Sequence, residues 1–130
     1  MLNYSGELLE KAFDIVLEYG QKGMDIILQY GEKGIDIVFT YGQKGLDALY
    51  DFGEDALNAI TDFGEDALNA ITDFGQDAIN IIKKVGEFGS DVLQKCLSAI
   101  NAFGSAAMSV IKEAMNHGKN ALEWALKPFN

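Results

Sequence analysis

Residues 52–62 read FGEDALNAITD, and residues 63–73 repeat those eleven letters without a change. The same register extends in both directions. Gly20, Gly31, Gly42, Gly53, Gly64, Gly75 and Gly86 fall eleven residues apart, preceded in turn by Tyr19, Tyr30, Tyr41, Phe52, Phe63, Phe74 and Val85. Residues 8–18 fit the unit with Leu8-Leu9 in place of aromatic-Gly, giving eight uninterrupted units over residues 8–95. Repetition of this kind is read before any local propensity, because it dictates architecture.

Eleven residues make three turns of α-helix almost without remainder, at about 98° per residue, so equivalent positions form straight or slightly right-handed stripes. With positions labelled a to k from the aromatic, a, b, e, f, h and i fall within an arc of roughly 165° and c, d, g and k lie opposite. So wide an apolar arc calls for two neighbours per helix, where a two-stranded coiled coil needs a narrow seam. The sequence thus predicts an all-α fold: one very long amphipathic helix packed in a multi-helix homo-oligomeric filament, tube or bundle. Ser5 caps the start and Pro128 marks the end of at most about 120 helical residues, roughly 180 Å long. In the alternative, each Gly ends a short helix and the chain is a solenoid of small hairpins. Two arguments weigh against it: segments of about nine residues do not hold a helix alone, and Gln or Glu rather than capping residues follow each Gly.

Three segments follow: residues 1–7 as lead-in and cap, 8–95 as regular repeats, and 96–130 as a helical segment of irregular register. Seven residues at 96–102 and three at 114–116 interrupt the pattern before Phe103-Gly104 and His117-Gly118 restart it. Such insertions can be absorbed in one helix. Turns at residues 86–90 or 103–105 would instead fold the C-terminal third back as a shorter helix.

Composition narrows function. Of 130 residues 48% are apolar and 23% charged, with ten Lys, no Arg and a net charge of −10. Nucleic-acid binding needs clustered cations and is not expected. One His, one Cys and no Gly-rich phosphate loop after a strand give no catalytic residue, so neither an enzyme, a small-molecule substrate nor a cofactor is expected. Carboxylates such as Asp51, Glu54 and Asp55 share a helix side but form no closed cage, and no metal ligand is assigned. His117 reads as a packed or rim residue, Cys96 and Trp124 as packing residues. The start lacks a basic, apolar leader and charges interrupt every apolar stretch, so a cytoplasmic location is the default, with signal-independent export left open.

The repeated positions suggest self-packing. Gly in a helix interior costs about 1 kcal/mol relative to Ala, so a stripe of them needs an offset. Close backbone approach supplies one, with the aromatic at a as knob for a neighbour's Gly and Ala groove. The expected packing set is Tyr19, Gly20, Tyr30, Gly31, Tyr41, Gly42, Phe52, Gly53, Phe63, Gly64, Phe74 and Gly75. Position d is Lys22, Lys33 and Lys44, then Asp55, Asp66 and Asp77, and these six are expected to set register between staggered subunits.

The pattern over residues 8–95, and with slips 103–127, resembles the hendecad coiled-coil proteins, whose repeats serve as stalks, fibres and membrane-associated assemblies. That resemblance implies helix geometry more than biology. The expected function is a structural protein that self-assembles by side-by-side helix packing into a filament or tube, its partner being itself. The alternative is a lipid-surface protein, since eleven-residue amphipathic repeats also look like those of exchangeable apolipoproteins, synucleins and lipid-droplet coats. The acidic middle, the missing Arg and the Gly stripe argue against that alternative.

Overall fold

The computed structural model describes residues 5–129, and among them the chain is all-α. The helices are α1 (Gly6–Tyr19), α2 (Gln21–Tyr41), α3 (Gln43–Phe52), α4 (Glu54–Phe63), α5 (Glu65–Phe74), α6 (Gln76–Gly86), α7 (Ser90–Phe103), α8 (Ser105–Met115) and α9 (Lys119–Leu126). A 3-10 turn (Lys127–Phe129) follows. The one very long amphipathic helix expected from the repeat is therefore corrected: the chain forms short helices that pack on one another, and the C-terminal third is three helices rather than one folded back. Ser5 caps as expected, its hydroxyl oxygen accepting from the Leu8 N–H at 3.2 Å.

The glycine at position b breaks the helix. Gly20 adopts φ 64°, ψ −135°, the mirror image of extended backbone, which a Cβ strongly disfavours. Its N–H donates to the Val16 carbonyl at 2.9 Å, and its own carbonyl accepts from the Met24 N–H at 3.1 Å. A single residue thus stands at the C-cap of one helix and the N-cap of the next, with no intervening loop. Gly42, Gly53, Gly64, Gly75 and Gly104 repeat this φ, and Gly31, at φ 61°, kinks α2 into arms 21–30 and 32–41.

Both arguments for a continuous helix fail for identifiable reasons. Short helices are unstable in isolation, but tertiary burial of the apolar arc supplies what propensity does not. No side chain caps the helix at these glycine junctions; the glycine carbonyl supplies only the first helical acceptor, and tertiary burial outweighs the missing cap. Breaking at each repeat lets one chain cover with its own helices an arc that a single rod would leave to water.

The chain divides into two compact units, residues 1–62 and 63–130. In the first, α1, the two arms of α2 and α3 each pack on the next through position e. A Cβ on Gly23 would stand 2.9 Å from both Ile15 Cγ2 and the Ile15 carbonyl oxygen, and Gly34 and Gly45 meet Tyr30 and Ile37 as closely. Helix α1 also lies beside the 32–41 arm, and the 21–30 arm beside α3, each pair running in the same direction. Lys11 of α1 reaches Asp36 at 3.9 Å and the Phe39 ring at 5.0 Å; Lys22 reaches Asp47 at 3.6 Å and the Tyr50 ring at 4.4 Å.

In the second unit α5 packs on α7, α6 on α8 and α7 on α9, so the same two-place rule holds. Gln94 donates to Asp66 at 2.9 Å and Lys112 to Asp77 at 3.1 Å across these pairs. Chain reversals at residues 87–89 and 116–118 accommodate the irregular register, with Gly89 at φ 132° and Gly118 at φ 106°. The core is positions e, f, h and i, as in Ala67, Leu68, Ala70 and Ile71, each at most 1% exposed.

Candidate functional site

Positions f and h lie about 160° apart around the helix, with the core-facing e and i between them. One flank therefore faces the helix two places before and the other the helix two places after. Burial identifies which. At f, Phe13 is 68% and Met24 36% exposed, whereas Ile35, Leu46, Leu57, Leu68 and Ile79 are buried. At h, Ile15, Ile26 and Ile37 are already buried, but the last two, Val110 and Trp124, are 37% and 72% exposed. Within each unit, the f flank is therefore the one open to a preceding helix and the h flank the one open to a following helix. The Lys11 and Lys22 contacts agree, since both extend from position d, beside h, toward a later helix.

Two edges thus keep an uncovered apolar flank. In the first unit, α1 and the 21–30 arm expose Leu9, Phe13, Leu17, Met24 and Leu28, and a groove of about 170 Å³ runs between Leu9, Phe13, Val16 and Met24. Glu10, Asp14, Glu18 and Asp25 are exposed on these same two segments. In the second unit, α8 and α9 expose Val110 and Trp124, with Lys112 and Lys119 on those helices. Trp124, read from sequence as a packing residue, is instead among the most exposed apolar side chains described. Exposed apolar surface joined by a groove, as at the first edge, marks interaction sites, because solitary domains usually cover it.

The residues expected to pack between subunits lie at the helix junctions of the chain. Tyr19, Tyr30, Tyr41, Phe52, Phe63 and Phe74 stand half-buried at helix ends, and Gly20, Gly31, Gly42, Gly53, Gly64 and Gly75 are the reversals. Knob and groove do meet, but inside one chain: the Tyr19 and Tyr30 hydroxyls lie 3.5 and 3.3 Å from where a Cβ on Gly42 or Gly53 would stand. Burial raises the Tyr19 hydroxyl pKa above its ordinary value, with Glu18 and Asp47 adding to the effect. Of the charge-register residues, Lys22 pairs with Asp47, Asp66 with Gln94 and Asp77 with Lys112. The partner shown for Lys22 is the Asp at position g two helices on. Asp14, Asp25, Asp36 and Asp47 all occupy g, and this column opposite the Lys column was the readable signal for that pairing.

Cys96 is buried as a packing residue, and desolvation pushes its thiol pKa up to about 12. Counted back from Gly104 it occupies e, where the preceding units place Ala. His117 is exposed, with Nε2 3.7 Å from Glu113. Among the described residues no group of three or more His, Cys, Asp or Glu is gathered to hold a metal ion, and no helix is long and apolar enough to cross a membrane. Comparison with protein-family models, curated proteins and solved structures finds no match to this chain.

Proposed function

We propose that this chain is a structural protein whose folded helical units self-assemble into a filament or tube. The observation that carries this reading is the apolar edge formed by α1 and the 21–30 arm. There Phe13 and Met24 stand in water at the position that every later repeat through Ile79 buries. A repeat fold covers each helical layer with the next and normally closes its ends with polar faces. An edge left apolar is a place for another layer, and association by packed helices is how the interior is already built.

Size-exclusion chromatography with light scattering, and negative-stain electron microscopy in physiological salt without lipid, test the proposal over a range of concentrations. Mass should rise with concentration and ordered polymers should appear. A constant mass of 14.2 kDa throughout would overturn it. The lipid-surface reading rests on the same apolar edge, but Glu10, Asp14, Glu18 and Asp25 on its helices make it a poor surface for anionic headgroups. Flotation with anionic vesicles is the corresponding check.

A further inference from the structure

We infer that the first edge of one copy docks on the last edge of a second copy, head to tail, so that Phe13 and Met24 pack against Val110 and Trp124. This inference rests on the self-association reading above and names its joint. Within each unit, the pairs of helices two places apart cover an h flank with the later helix and an f flank with the earlier one. The first edge offers f without its h partner, and the last edge offers h without its f partner. Joining them adds no new kind of contact. It continues the packing of each unit across a boundary between molecules.

Charge selects the same orientation. Helix α1 carries Glu7, Glu10, Asp14 and Glu18 against Lys11 alone, whereas residues 105–129 carry three Lys and two acids. Two first edges meeting would bring like charges together, while first on last brings opposite ones. The interior shows the geometry this favours, with Lys extending from one helix to the g-position Asp two places on. At the joint, exposed Asp14 and Asp25 occupy that g position on the first edge; on the opposing helix d is Asn120, and Lys119, beside it at c, lies 3.9 Å from Glu123. A contact between two different surfaces is heterologous, and it propagates through every copy that has both.

The test uses two full-length variants, Phe13→Asp with Met24→Asp at the first edge and Val110→Asp with Trp124→Asp at the last. All four sites are solvent-exposed or nearly so, and circular dichroism should show both variants folded like the parent; if the Asp pairs unfold the chain, Ser at the same sites enters the same assay. Each variant alone should require at least about tenfold higher concentration to associate, because losing a buried aromatic anchor removes much of an interface's affinity. An equimolar mixture retains one intact first edge and one intact last edge, and should stop at the mass of two chains. Wild-type-like assembly by either variant, or dimers of one variant alone, would overturn the head-to-tail joint while leaving self-association standing. A parent chain that stays at one-chain mass removes the self-association reading and the joint with it.

Discussion

Replacing Gly20 by Ala separates the hinged fold from a continuous helix by the sign of its effect. In a helix interior the substitution raises stability by about 1 kcal/mol. At φ 64°, ψ −135° it places an L-residue where its Cβ crowds the backbone, at a cost of about 1–3 kcal/mol. Nothing else lies within 4 Å of the new Cβ, so the effect is conformational and owes nothing to packing. Lower entropy of the unfolded chain returns about 0.4–1 kcal/mol. The expected net is a loss of about 1–2 kcal/mol, which at roughly 4 °C per kcal/mol lowers Tm by about 4–8 °C. Gly86→Ala is the matched control. Gly86 closes α6 without a positive φ, and its Cβ would lie 3.9 Å from Leu93 Cδ2, so this variant should hold or raise Tm. Thermal denaturation followed by circular dichroism reads both, and a Gly20→Ala protein as stable as its parent would refute the hinge.

Gly23→Ala tests helix-on-helix approach in place of backbone conformation: its Cβ would stand 2.9 Å from Ile15 Cγ2, and a loss of about 1–3 kcal/mol in urea unfolding is expected. The Lys22 and Asp47 pair is half-exposed at 3.6 Å, so a double-mutant cycle should give a coupling below about 1 kcal/mol that shrinks in 1 M salt; a coupling that survives salt would show a desolvated pair. For Cys96, a thiol pKa raised from 9.0 to about 12 means folding favours the protonated form. Its contribution is complete below pH 9 and is lost as pH rises from 9 toward 12, so stability should fall less steeply with pH in Cys96→Ala than in the parent; identical slopes would show that the thiol ionises as freely folded as unfolded.

The eleven-residue spacing pointed to helix and to which positions are apolar, because eleven residues close three helical turns almost without remainder and hold the apolar positions on one face. It also marked e and b as positions held mostly by Gly and Ala, while residue type marked Ser5 and Pro128 as helix limits. It could not say whether Gly20 and its equivalents continue the helix or reverse it, since Gly at b is compatible with a close-packed stripe and with a positive φ alike. That choice belongs to the tertiary level: covering an arc of roughly 165° with the chain's own helices outweighs the regularity of an unbroken rod. The edges were hidden for the same reason. Phe13 and Leu68 share position f in the sequence, and Trp124 and Ile81 share h. Burial differs between them because each flank needs a neighbour two helices away, and the stacking that supplies or withholds that neighbour exists only in the folded chain.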